Sequence, residues 1–181
     1  MSMSNPIPGA GAWQPRNSSS VIEGDAPLFG SRAAEIGLLL GLGALVVLAH
    51  VSAHLTPRRQ AKEPVARVHG RALAELSECF TSARDQLPSG YLSQPRFRAA
   101  YLLYFLPTGV ATVADVLARS GVLVPERPLR VLDVGAGPLT ASIALALSTR
   151  QPLDVVAFDR SEAILADGVA VLRALRPEVK V

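Results

Sequence analysis

The stretch on which the fold turns is Leu129-Arg130-Val131-Leu132-Asp133-Val134-Gly135-Ala136-Gly137-Pro138. Its first six residues are a short aliphatic and β-branched run, which predicts a buried strand by its length and flanks. Thr140 to Thr149 (TASIALALST) then reads as a helix, and Asp154 to Phe158 as a second strand ending at Asp159. Ser161 is placed to N-cap a second helix, which Pro177 stops, and Glu178 to Val181 opens a third strand. This β-α-β-α-β alternation predicts an α/β fold: a doubly wound parallel sheet with right-handed crossovers. Two strands and the start of a third are supplied, so residues 129–181 are expected to form the N-terminal part of an incomplete sheet.

Ligands of such sheets bind beyond the carboxyl ends of the strands. Gly135 and Gly137 let the backbone turn tightly there and let a ligand lie against it, with Ala136 between them. Asp133, near the end of the first strand, is placed to accept a hydrogen bond from a ligand group. Asp159, ending the second strand, lies at the usual distance from a glycine loop for a carboxylate that accepts two ribose hydroxyls. A nucleoside cofactor is therefore expected. A dinucleotide fingerprint is incomplete because Thr140 stands where a third glycine belongs, and no Gly-Lys-Ser/Thr follows for a phosphate-binding P-loop.

V-L-D-V-G-A-G-P resembles the first motif of class I S-adenosylmethionine-dependent methyltransferases, and the resemblance covers about Leu129 to Val181. It implies S-adenosylmethionine as cofactor, held at Asp133, Gly135, Ala136, Gly137 and Asp159. The family commonly shows D-x-G-x-G-x-G. Leu139 takes the place of the last glycine, where a side chain is expected to narrow the room over the methionine part of the cofactor. In that family the groups that position the methyl acceptor follow the fourth strand, so no catalytic residue is assigned here.

The segment upstream, RAAYLLYFLPTGVATVADVL, resembles methyltransferase-like proteins that act on the small ribosomal subunit of mitochondria and bacteria. Arg98, Tyr101 and Pro107 carry that likeness. It implies ribosomal RNA, or the small ribosomal subunit, as partner. Arg96 and Arg98 beside Phe97, Tyr101 and Tyr104 are also a mixture that can contact phosphates and stack on bases. The same pattern equally suits apolar residues packing inward with solvated arginines. Within residues 65–121, Val65, Val68, Ala72, Leu76 and Phe80 recur at helical spacing until Leu87-Pro88-Ser89-Gly90 ends the helix. Pro95 then opens a helix and Pro107 restarts another, closed by Gly121.

Further upstream, residues 1–32 are rich in Ser, Pro, Gly and Asn and are expected to be disordered. Ile36 to Ala49 is apolar or glycine throughout, and the run extends over 33–55 if His50, Ser52 and His54 are admitted. That length and the lack of a polar face predict a transmembrane helix. Arg58, Arg59 and Lys62 in the linker 56–64 place the C-terminal part in the cytoplasm. Gly37 and Gly41 form a G-x-x-x-G pair, more simply explained by composition. His50 and His54 lie one turn apart without a third ligand, so no metal site is expected.

Composition excludes some classes. The single cysteine, Cys79, rules out an internal disulfide or a multi-cysteine metal centre, and the net charge of +3 leans toward an anionic partner without demonstrating one. Three functions remain in view. One is an RNA methyltransferase or a ribosome assembly factor descended from one. Another is a membrane-tethered methyltransferase of a small hydrophobic acceptor. The last is a cofactor-binding scaffold without transfer activity.

Overall fold

The structure, a computed structural model, describes Leu38 and residues 41–60, 62–120 and 127–181. The expected disordered segment 1–32, Gly37 and Gly121 lie outside the described residues. Seven elements build the sheet unit and the helices packed on it. They are α1 (Gly41–Leu55), α2 (Val65–Thr81), α3 (Pro95–Arg119), β1 (Leu129–Val134), α4 (Thr140–Ser148), β2 (Leu153–Phe158) and α5 (Glu162–Leu175).

β1 and β2 pair in parallel from Leu129 opposite Leu153 to Val134 opposite Phe158. Lys180 forms a parallel bridge to Asp154 on the far edge of β2, with Val155 N–H donating to Lys180 O at 2.8 Å. The third strand is thus begun where the sequence puts it, giving the order third strand, β2, β1. One face of the sheet is packed. Leu153 and Val155 are buried, with Leu129, Val131 and Ala157 against the same core. The other face shows Leu132, Val134, Val156 and Phe158 to solvent among the described residues. α4 and α5 pack on the face that holds Leu153 and Val155, as successive parallel crossovers wound in one direction require, which accounts for the asymmetry. Arg176, just after α5, donates to Thr149 O at 2.7 Å and to Ala146 O, so it supplies partners for orphan carbonyls at the end of α4.

Pro107 is expected to restart a helix. Instead α3 runs unbroken from Pro95 to Arg119, with a π-turn at Tyr101–Phe105 directly before the proline. The wider turn, closed by Leu106 N–H on Tyr101 O, accommodates a ring that would clash with a carbonyl of a regular helix. α2 also ends earlier than expected, at Thr81 rather than at residues 87–90. The Thr81 hydroxyl donates to Ser77 O at 2.9 Å and the Ser82 hydroxyl to Glu78 O at 3.3 Å. Those side chains take over the final carbonyls and let the chain turn away.

α1 is the described part of the apolar run. It lies against the core, with Val47, Val51 and Leu55 buried in the cluster that holds Leu102, Leu106 and Val110 of α3. Among the described residues one helix is long and apolar enough to cross a membrane by length and composition, and it is α3 rather than α1. α3 buries Phe97, Ala100, Leu102, Leu106, Val110 and Ala114, so that apolarity is used in packing.

Thr56 ties α1 to α2. Its hydroxyl donates to Val51 O at 3.1 Å, which leaves its oxygen to accept from His69 Nε2–H at 3.3 Å. His69 is buried, and burial lowers its pKa below the usual imidazole value. A lowered folded-state pKa means that the unfolded chain binds the proton more readily, so stability falls as pH drops from about 6.5 toward the folded-state value. Denaturant titrations at pH values above and below that window are expected to show the loss. His69→Gln, which keeps a donor but cannot titrate, should flatten the slope.

Candidate cofactor site

The glycine loop is held at both ends. Gly135 N–H and Ala136 N–H donate to Phe158 O at 2.8 and 3.0 Å, which fixes the end of β1 to the end of β2. Gly135 and Gly137 have φ of 70° and 53°, left-handed values that cost a residue with a side chain about 1–2 kcal/mol. Nothing lies within 4 Å of where a Cβ would sit at either glycine. The loop therefore opens onto space that its missing side chains leave free. The adjacent cleft is lined by Val134, Gly135, Phe158, Asp159 and Arg160.

Asp159 stands at the end of β2, as expected, but its carboxylate has structural work as well. Oδ2 accepts from Gly137 N–H and Oδ1 from Ser161 N–H, both at 2.8 Å. A carboxylate offers about four lone-pair sites, so two acceptor positions stay available for ribose hydroxyls. Ser161 occupies the N-cap position of α5 without a side-chain cap bond, and its buried hydroxyl has no partner among the described residues. Asp159 bonds the amide of this N-cap residue and so fixes the entry of the chain into α5. Asp133 is tied back to α4, accepting from the buried Ser142 hydroxyl at 2.6 Å.

Leu139 differs from its expectation. It adopts φ of 61° at the start of α4, the conformation a glycine would take with less strain. Its side chain is fully buried in the apolar core, with Ile143 and Val171 in the same cluster, and is absent from the cleft lining. It does not narrow the space above the loop.

The sequence reading passed over several residues at this site. Gly168, in the middle of α5, faces the loop. A Cβ there would stand 2.5 Å from Pro138 O and 2.7 Å from its Cα. A glycine inside a helical pattern is a weak signal that another backbone comes close. Tyr91 and Tyr101 bring the helical region up to the site. Burial pushes the Tyr91 hydroxyl up to about 12, with Tyr101 adding to the shift, while burial and then the Asp159 charge raise Tyr101. The aromatic and basic residues that could form a stacking platform are not presented together. Phe97 is buried under the Arg96 guanidinium, and Arg98 donates from Nε to Asp167 at 2.9 Å.

A parallel β-α-β unit whose glycine loop and second-strand carboxylate meet at the strand ends has the arrangement that α/β sheets use to hold ligands, which makes this the candidate site. The residues fit S-adenosylmethionine in chemistry: an open glycine cradle, and a carboxylate with acceptor capacity for ribose. Among curated proteins the chain is similar to release factor glutamine methyltransferase of Escherichia coli (strain K12) and of Shigella flexneri. In each case 30% of 137 aligned residues are identical, covering 62% of this chain and 47% of the relative. The chain thus spans about half the length of these relatives. The likeness supports the methyltransferase superfamily and lends nothing to the small-subunit ribosomal RNA family. No family model and no solved structure matches the chain.

Proposed function

We propose that this chain carries the cofactor-binding unit of an S-adenosylmethionine-dependent methyltransferase that modifies a protein. The observation that carries the reading is the Asp159 carboxylate bridging the glycine loop and α5 beside the open cleft. When bound, the cofactor supplies a methyl group on a sulfonium. The chain's own part is to hold and orient it: Gly135 and Gly137 give backbone approach, and Asp159 accepts from ribose. Asp133, braced by Ser142, stands near the end of β1 to accept from the cofactor's polar end.

A protein acceptor is supported by the likeness to release factor glutamine methyltransferase. The ribosomal RNA reading rests on Arg98, Tyr101 and Pro107, and their surroundings give it little to work with. Arg98 is paired with Asp167, Tyr101 packs on Phe80 and Phe105, and Pro107 serves the helix turn.

The test is equilibrium binding of S-adenosylmethionine to the full chain. Asp159→Ala is expected to weaken binding by about 1–3 kcal/mol, the cost of unmet buried partners. Asp159→Asn, which keeps one acceptor oxygen, should fall between. S-adenosylhomocysteine should compete and NAD should not, because the third glycine of the dinucleotide fingerprint is missing. Equal affinity in wild type and Asp159→Ala removes ribose recognition from Asp159. Competition by NAD would redirect the reading to a different cofactor.

A further inference from the structure

α1 has two faces of the same composition and different fates. Val47, Val51 and Leu55 are buried in the core, whereas Leu38, Leu42, Leu45 and Leu48 are exposed, Leu38 at 76% and Leu45 at 63%. Leu42, Leu45 and Leu48 recur at spacings of three, which puts them on one stripe of α1, and Leu38 precedes them by four positions. From Gly41 to Ala49 no side chain carries a hydrogen-bonding group. Just beyond the helix, Arg58, Arg59 and Lys62 are exposed and form no ion pair among the described residues.

We propose that this face of α1 docks on an anionic lipid surface, with the helix lying in the plane of the bilayer rather than crossing it. Chemistry selects the occupant. Protein interfaces carry about one hydrogen bond per 100–200 Å² and a polar rim, and this stripe offers no side-chain donor or acceptor. A bilayer interior asks for none. The basic cluster at the end of the stripe complements anionic headgroups at short range. Ser52 and His54, exposed near the C-terminal end of α1, suit the interfacial layer.

Packing argues against a spanning helix. His50 Nε2 lies 2.9 Å from Asp167 Oδ1, and Arg98 Nε donates to Asp167 Oδ2 at the same distance. The first contact ties α1 to α5 at His50, the second brings α3 to the same carboxylate, and Val47, Val51 and Leu55 pack α1 on the shared core. A crossing of the bilayer in this arrangement would carry Asp167 and Arg98 into hydrocarbon, where charges are strongly disfavoured. In-plane docking leaves that network on the protein side and wets only the leucine stripe with lipid. Interfacial helices usually supply their own polar face. Here the domain beneath α1 takes its place.

The experiment is flotation of the full chain with vesicles of phosphatidylcholine alone or with roughly a third phosphatidylglycerol. The chain should float with the anionic vesicles. Neutralising Arg58, Arg59 and Lys62 to Gln should lower partitioning about fivefold per residue, and added salt should do the same. Leu42→Glu with Leu45→Glu should abolish flotation while changing the melting temperature little, since both side chains lie on the exposed face. Depth distinguishes docking from spanning. With Cys79→Ser as background, fluorophores attached at Leu38→Cys and Leu48→Cys should be quenched at one depth. A spanning helix would separate them by about 15 Å. A depth difference of that size overturns the proposal, as does flotation undiminished in the double Glu variant. A chain that stays soluble beside both vesicle types, or that forms a stripe-dependent dimer instead, also overturns it.

Discussion

Gly168→Ala is expected to destabilise the chain by about 2 kcal/mol or more and to weaken cofactor binding with it. The substitution gains about 1 kcal/mol of helix propensity, which alone would make it stabilising. Against that gain stands a Cβ placed 2.5 Å from Pro138 O and 2.7 Å from Pro138 Cα. Both obstacles are backbone, so no side-chain rotation relieves them. Overpacking of this kind costs about 1–3 kcal/mol, and more where neither element yields. The loop that must move is the one holding Gly135 and Gly137, so stability and binding should fall together. Gly70 in α2 provides the control, because nothing lies within 4 Å of a Cβ there. Gly70→Ala should gain about 0.5–1 kcal/mol. Urea unfolding of the two variants therefore reads opposite signs for one chemical change. Equal signs would remove the close approach of α5 to the loop as the cause.

The second large effect lies at Leu139. Its left-handed backbone costs about 1–2 kcal/mol, and its fully buried side chain is worth about 2–5 kcal/mol against alanine. Burial wins, which explains how a leucine is tolerated in a glycine's conformation. Leu139→Ala keeps the backbone strain and loses the packing, so it should cost the full 2–5 kcal/mol or so. Leu139→Gly loses the packing but also releases the strain, and should be milder by about 1–2 kcal/mol. Denaturant midpoints that rank glycine as the worse of the two would show that strain plays no part at this position.

The sheet unit was readable because its signals are local. A strand-length aliphatic run, two glycines and a helix follow in order, and Asp159 falls at the end of the next strand by spacing alone. What stayed hidden depends on contacts between distant residues or on one pattern that serves two ends. A leucine announces nothing about positive φ, and a glycine in mid-helix does not say which backbone it meets. Pro107 carries the same signal whether it starts a helix or sits behind a π-turn. An unbroken apolar run is equally the pattern of a lipid-facing helix and of one packed on a core, and α1 does the second with one face while exposing the other. Arg98 reads as a solvated or phosphate-binding cation until Asp167, 69 positions later, is seen beside it.

The ordering of contacts along the chain has a consequence for synthesis. Every β1–β2 pair joins residues 24 positions apart, and Arg176 reaches back only to Ala146 and Thr149, so the sheet unit closes through short loops. α1 has one close tie of this kind, Thr56 at its end to His69 of α2, and its apolar face has none. Its Val47 and Val51 wait for α3, α4 and α5, all of which leave the ribosome later. At about 5–20 residues per second, α1 is extruded roughly ten seconds before α5 can receive His50. During that interval its two faces are equivalent to anything that meets them. Whatever engages the helix first, lipid or chaperone, then has to be released from one face before the domain can close.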